Sequence, residues 1–101
     1  MDAGALDEIH RFTASVEKPD LYAYLDIEPD ADRETITHAL QVRRSWAQGQ
    51  QANPKYRQEA LWVIKNISLI KEALIGSSAS YKGDLADRDE RANLDTLSIF
   101  I

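Results

Sequence analysis

The side chains best suited to catalysis are carboxylates and serines, but their surroundings argue against a catalytic site. Asp87 and Asp89 lie in a mixed charge run, which predicts a solvated helix face. A catalytic carboxylate pair needs an apolar pocket to shift its pKa. Ser77, Ser78 and Ser80 have no histidine-based or lysine-based activation scheme near them in the sequence. We therefore expect loop serines and no catalytic carboxylates.

Metal and cofactor chemistry is not indicated either. The chain has no cysteine, and no metal-ligand spacing joins its two histidines, His10 and His38. The glycines stand singly, so no phosphate-cradling loop is predicted. We interpret His38 as a surface histidine rather than a ligand. The expectation is a protein without enzyme activity, cofactor or metal.

Length and charge narrow the possible functions to those of a single-domain, acidic protein. A chain of 101 residues fits a single domain, and a formal net charge of -5 argues against a general nucleic-acid binder. Arg43 and Arg44 beside Trp46 could be a nucleic-acid footprint, but Trp46 is better used as core. If these arginines form a basic patch with Arg33, Lys55 and Arg57, an acidic protein segment is the more natural partner.

The chain shows no targeting or membrane signal. No run of about 18 apolar residues is present, so no membrane insertion is predicted for this segment. The start lacks the basic region and apolar core of a secretion signal. We expect a cytoplasmic location.

The periodicity places one pair of long antiparallel helices at the centre, over residues 32–75. In the first arm, residues 32–48, apolar positions recur at helical spacing and Asp32 is a plausible N-cap. Gly49 is expected to stop this helix, and Pro54 to stand where the second arm, residues 55–75, begins. A connector this short favours antiparallel neighbours.

Shorter helices are predicted on both sides, which makes the fold class all-α. Residues 1–18 read as an amphipathic helix that packs on the domain or, as the alternative, binds a partner. A short helix capped by Asp20 follows. Residues 76–80 are expected to form a loop, and Asp84 to cap a last helix over residues 84–101. Its apolar end indicates that it docks on the domain or leads into a longer parent chain.

The second arm carries apolar residues on two faces. Trp62, Asn66, Leu69 and Ala73 form a stripe on the side opposite the one that should pack on the first arm. The terminal helices are the expected cover for this stripe. A protein partner is the alternative.

This layout resembles the J-domain, the DnaJ-type co-chaperone module, over residues 19–83. The similarity lies in three motifs and one run: Asp20-Leu-Tyr-Ala-Tyr-Leu25, Glu28-Pro-Asp-Ala-Asp32, Thr35-Ile-Thr-His-Ala-Leu40, and the residues from Ile67 to Leu74. The resemblance implies a short first helix, a turn, and two long antiparallel helices. Residues 1–18 and 84–101 would be extra terminal helices.

The departures from the family pattern bear on function. J-domains carry a His-Pro-Asp tripeptide just after the first long helix, which triggers ATP hydrolysis in a heat-shock chaperone. Around that place this chain has Ala47-Gln-Gly-Gln-Gln51. The family's first long helix is also strongly basic, whereas here Arg33, Arg43 and Arg44 are its main cations. We interpret the chain as a degenerate J-like domain.

The resulting hypothesis is a non-catalytic protein–protein interaction module, an adaptor or scaffold that does not stimulate a chaperone ATPase. One alternative is a regulator that recruits or blocks a heat-shock chaperone. Another is a self-assembly module that pairs through its C-terminal helix, by Leu94, Leu97, Phe100 and Ile101. The residues expected to contact a protein partner are Arg33, Arg43, Arg44, Gln48 and Gln50, with Trp62 and Leu69 as a second surface.

Overall fold

A computed structural model describes the backbone of residues 1–99 and the side chains of residues 1–91. Within these residues the fold is all-α, as predicted. The helices are α1 (Ala3–Ser15), α2 (Leu21–Leu25), α3 (Arg33–Gln50), α4 (Arg57–Lys65), α5 (Ile67–Lys71) and α6 (Ser78–Ile99), with a π turn at Glu72–Gly76 between α5 and α6. None of the helices in this part of the chain is long and apolar enough to cross a membrane.

The first helix ends at Ser15 and not at residue 18, because a C-terminal capping motif stops it there. Glu17 adopts a left-handed conformation with φ 60. The N–H of Lys18 then donates to the carbonyl of Thr13, and the N–H of Glu17 to that of Ala14. This pair of bonds is a Schellman motif, which satisfies the last carbonyls of α1.

The caps predicted for α2 and α3 are both present. The Asp20 carboxylate accepts a hydrogen bond from the N–H of Ala23 at 2.9 Å, and Asp32 accepts from Thr35 at 2.8 Å. The bond from Thr35 holds the pKa of the Asp32 carboxyl below its usual value. Gly49, however, lies inside α3 and does not stop it. Its φ is not positive, so the backbone continues as a helix to Gln50.

The second arm is not one continuous helix. Asn66 leaves helical geometry, with φ -112 and ψ 18, and its side-chain amide donates to the carbonyl of Trp62. The N–H of Ser77 then bonds the carbonyl of Glu72, five residues back, at the π turn. Ala60 and Val63, before the break, are buried together with Ile70, Ala73 and Leu74, which follow it.

The predicted loop at residues 76–80 and the predicted cap at Asp84 are both wrong. Ser77 alone separates the π turn from α6, and Asp84 lies within that helix. Serine and glycine are poor helix formers, but α6 buries Tyr81 and Leu85 one turn apart. Packing of these two side chains outweighs the local propensity.

All described helices contribute to one core. The fully buried side chains of largest volume come from four different parts of the chain. They are Ile9 of α1, Leu21 of α2, Val63 and Ile70 of the second arm, and Tyr81 of α6. The terminal helices therefore pack on the helix pair as part of one cluster.

Candidate protein-binding surface

The three arginines of α3 lie in different environments. Arg33 and Arg44 are exposed, as the sequence predicts. Arg43 is not, since its side chain is 28% exposed. Arg33 lies in the first turn of α3, whereas Arg44 lies three turns further along. The three arginines therefore do not form one continuous basic patch on α3.

Arg43 is held against the core by aromatic and acidic neighbours. Its guanidinium carbon lies 4.7 Å from the ring centroid of Tyr24 and 4.9 Å from that of Trp46. Its Nη1 is 3.9 Å from a carboxylate oxygen of Glu59, and its Nη2 donates to the Tyr24 carbonyl at 3.4 Å. These contacts tie α2, α3 and α4 together. The predicted exposure of Arg43 is thus corrected, because distant parts of the chain surround it.

Glu59 has a second role in the same cluster. The Tyr24 hydroxyl donates a hydrogen bond to its carboxylate at 2.7 Å. Burial, followed by this hydrogen bond, raises the pKa of Tyr24 well above its usual value. The phenol therefore stays protonated and remains the donor to Glu59, so that this hydrogen bond joins α2 to α4.

Arg44 lines a groove between α3 and α5, which we call the α3–α5 groove. The groove has a volume of about 280 Å³. Its lining residues are Thr37, Leu40, Gln41, Arg44, Ile67, Ser68 and Lys71. Its apolar lining is Ile67, which is half-buried, and Leu40, which is 6% exposed. Two cations line it and no carboxylate does, in a chain whose net charge is -5.

The two glutamines of the predicted surface differ in exposure and in their hydrogen bonds. Gln48 is exposed, and its backbone carbonyl accepts from the side chain of Gln51. Gln50 is half-buried, and its side-chain oxygen accepts from the amide of Asn53 at 2.9 Å. Gln50 thus takes part in the connector's own hydrogen bonds.

Trp62, predicted as a second contact, is covered by α1. Its ring stacks on Phe12 with centroids 3.8 Å apart and planes at 6°. Its indole Nε1 donates to the Glu8 carboxylate at 3.0 Å. Leu69, further along the same stripe, is half-buried. The N-terminal helix therefore covers the Trp62 end of this stripe, as expected, and a protein partner is not needed there.

A larger groove lies beside this stack, between α1 and the start of α4. Its volume is about 720 Å³, and Phe12, Tyr56 and Trp62 are among its lining residues. Its charged lining mixes both signs, with Glu8, Arg11, Glu17, Lys55 and Glu59. This groove therefore selects no sign of charge in a partner.

The connector after the first long helix begins later than the sequence predicts, because α3 continues to Gln50. Residues 47–50 are helical, so the connector to α4 is residues 51–56. It contains Asn53-Pro54-Lys55, and neither a histidine nor an acidic residue is present. The Asn53 side chain accepts from the N–H of Lys55 at 3.0 Å, which fixes the turn.

One pair of chemically active side chains was missed by the sequence analysis. The imidazole Nε2 of His10 contacts the carboxylate of Asp84, 74 residues away, and links α1 to α6. The other ring nitrogen, Nδ1, is buried and has no hydrogen-bond partner among the described residues. Within the described residues, no group of three or more histidine, cysteine or acidic side chains could hold a metal ion.

The predicted self-association residues cannot be placed. Phe100 and Ile101 lie outside the described residues, and the side chains of Leu94 and Leu97 are outside the described part as well. Comparisons of the chain with protein-family models, curated proteins and solved structures found no match. The resemblance to the J-domain family therefore stays a prediction, and the candidate surface rests on geometry and charge.

Proposed function

We propose that the chain is a non-catalytic adaptor module that binds an acidic segment of another protein in the α3–α5 groove. The observation that carries this proposal is the sign of the groove's charges. Arg44 and Lys71 line it without a carboxylate, although acidic residues outnumber basic ones in the whole chain. A positive groove on an acidic protein favours an acidic ligand and disfavours other copies of the same chain.

The groove offers both apolar surface and positive charge for recognition of a protein partner. The half-buried Ile67 provides apolar surface that a partner's aliphatic side chain can cover, beside Leu40, which is 6% exposed. The cations provide electrostatic steering, which acts mainly on the association rate and weakens with salt. An acidic amphipathic helix or strand of a partner combines the two.

The J-domain resemblance supports the same face of the molecule. In that family the first long helix is the docking helix for the chaperone, and the resemblance implies that α3 corresponds to it. The connector after α3 has Pro54 but no histidine and no acidic residue. We therefore favour binding without stimulation of ATP hydrolysis. The second candidate, a module that recruits or blocks a heat-shock chaperone, rests on the α2–turn–α3 resemblance.

The experiment compares three forms of the protein as bait. They are the wild type, the groove variant Arg44→Glu/Lys71→Glu, and the control variant Arg57→Glu/Lys65→Glu. The control makes the same charge change at exposed positions that do not line the groove. Proteins retained by the wild type and the control but lost by the groove variant are identified by mass spectrometry and purified.

Binding of the purified partner is then measured at two salt concentrations. We expect the groove variant to weaken binding by about tenfold or more, and the wild-type affinity to fall with salt. Equal affinities for the groove and control variants would exclude this groove. If the partner is a heat-shock chaperone, its ATPase rate with and without the module separates the two candidates, because a plain adaptor leaves that rate unchanged.

A further inference from the structure

The α3–α5 groove has a defined direction, because α3 and the second arm run antiparallel beside each other. At the connector end, the rings of Trp46 and Tyr56 meet with their centroids 5.6 Å apart. At the opposite end of α3, Ile36 and Leu74 line the same small pocket. Residue numbers along the second arm therefore rise as those along α3 fall, and the groove lies between these two contacts.

This arrangement places the two cations of the groove on opposite sides of its apolar lining. Interpolation between the two contacts puts Leu40 level with Ile67. Arg44 follows Leu40 by one helical turn towards the connector. Lys71 follows Ile67 by one turn in the other direction, which puts it level with Thr37. At a rise of 1.5 Å per residue, the backbone positions of the two cations are about 10 Å apart along the groove.

Both charges are available to a ligand. Arg44 and Lys71 are exposed, and the ion pairs among residues 1–91 involve other cations. Glu72, which follows Lys71 directly, does not line the groove and accepts a hydrogen bond from the Ser77 hydroxyl on the π turn. A ligand therefore meets positive charge at each end of the groove and aliphatic surface between the two charges.

The spacing of the two cations matches a helix and not a strand. In a helix, residues seven positions apart lie two turns apart on nearly the same face, about 10 Å along the axis. In a strand, the same distance corresponds to about three residues, and residues three apart point to opposite faces. Both walls of the groove are helices, so neither has the open edge that strand addition requires. A helix can meet both cations from one face.

We propose that the acidic partner segment binds in the groove as an α-helix with two acidic residues seven positions apart and an aliphatic residue between them on the same face. The aliphatic side chain, three or four positions from each acidic residue, covers Ile67. The two carboxylates then face Arg44 and Lys71. This inference rests on the proposed function, which admits a helix or a strand, and adds the shape and the spacing of the ligand.

The test uses three synthetic alanine-rich peptides, each with two glutamates and one leucine. The in-register peptide has its glutamates seven positions apart with the leucine between them, and a lactam bridge on its opposite face keeps it helical. The shifted peptide has the same bridge but glutamates five positions apart, which places them about 140° apart round the helix axis. The extended peptide has the in-register spacing but no bridge, and a proline beside the leucine breaks its helix.

Each peptide is titrated into isotopically labelled protein and followed by NMR. We expect the in-register peptide to cause saturable shifts of the backbone amides of Gln41 and Ser68, which line the groove. The shifted and extended peptides should bind about threefold more weakly or worse. Binding of the in-register peptide should fall by about tenfold or more in Arg44→Glu/Lys71→Glu. The control variant Arg57→Glu/Lys65→Glu should bind it as the wild type does.

An exchange of charges checks that the carboxylates meet these two cations. A bridged peptide with lysines in place of both glutamates should bind Arg44→Glu/Lys71→Glu more tightly than it binds the wild type. This gain of binding also shows that the variant is folded. Tighter binding of the lysine peptide to the wild type than to the variant would overturn the pairing.

The outcomes separate this inference from the proposed function. Equal affinities of all three glutamate peptides for the wild type, all lost in Arg44→Glu/Lys71→Glu, would overturn the helical spacing and retain the groove as a site for acidic segments. Absence of saturable binding by the in-register peptide would also overturn the spacing, whereas the proposed function is decided by the purified partner. Peptide binding that is unchanged in Arg44→Glu/Lys71→Glu would contradict both.

Discussion

The hydroxyl of Tyr81 accepts a hydrogen bond from the backbone N–H of Leu21 at 3.0 Å, across 60 residues of sequence. Leu21 is the first residue of α2, where an N–H has no intrahelical acceptor. Tyr81 is fully buried and comes from the second turn of α6. The last described helix, α6, thus caps the start of α2.

Removal of this hydroxyl should destabilise the protein, whereas removal of the neighbouring one should not. Tyr81→Phe leaves the buried Leu21 N–H unpaired and should lower the free energy of unfolding by about 1–3 kcal/mol. Tyr22→Phe removes a hydroxyl that has no hydrogen-bond partner among the described residues. It should leave stability unchanged or raise it. Urea unfolding of both variants checks the difference, and equal losses would show that the two hydroxyls are equivalent.

Ionisation of Tyr81 should contribute to a loss of stability at alkaline pH. Burial raises its pKa from 10.0 to about 12. The folded state therefore holds this proton more tightly than the unfolded chain. The stabilisation is complete below pH 10 and is lost as the pH rises from 10 towards about 12. Circular dichroism across this range should show a steeper loss for the wild type than for Tyr81→Phe, and parallel curves would contradict the assignment.

The helix pair could be predicted because its signals are local. Ile36 and Leu40 recur at helical spacing, and Asp32 caps the same helix through its own side chain. Glycine was misleading in the same segment. Gly49 was expected to end α3, but a glycine with negative φ is tolerated inside a helix, and the periodic pattern does not reveal its φ.

The errors in the second half come from long-range packing. The serines and glycine at residues 76–80 predict a loop, yet burial of Tyr81 and Leu85 makes the segment start a helix. The break at Asn66 also has no apolar signature, since it depends on one side chain that bonds the carbonyl of Trp62. Neither effect can be inferred from neighbours in sequence.

The candidate surface shows the same limit at the level of single residues. Arg43 and Arg44 are adjacent and identical in type, so the sequence cannot rank them. Tyr24 and Glu59, 19 and 16 positions away from Arg43, decide that it points to the core. The contact of His10 with Asp84 lies beyond sequence reasoning for the same reason.

A glycine at the end of α1 should stabilise the protein. Glu17 has φ 60, a left-handed conformation that a residue with a β-carbon adopts at a cost. Glu17→Gly should therefore raise the free energy of unfolding by about 1 kcal/mol. Asp26 has φ 57 at the end of α2, but aspartate tolerates this region better, so Asp26→Gly should gain less. Denaturant unfolding of both variants tests this order, which a loss of stability in Glu17→Gly would contradict.

Adjacent arginines of α3 should separate stability from binding. Arg43 stacks on Tyr24 and Trp46 and faces the Glu59 carboxylate, so Arg43→Ala should lower the free energy of unfolding by about 1–2 kcal/mol. Arg44 is exposed, and Arg44→Ala should change stability by no more than about 0.5 kcal/mol. For partner binding the order should be the opposite: Arg44→Ala should weaken binding more than Arg43→Ala, because only Arg44 lines the α3–α5 groove.

Arg43→Lys provides the control for charge. Lysine keeps the positive charge beside Glu59 but lacks the planar guanidinium that stacks on two rings. It should recover only part of the stability that Arg43→Ala loses. Chemical unfolding gives the stability order, and titration of the purified partner gives the binding order. A full recovery in Arg43→Lys would show that charge alone accounts for the stabilisation, and a larger stability loss in Arg44→Ala than in Arg43→Ala would refute the division of roles between the two residues.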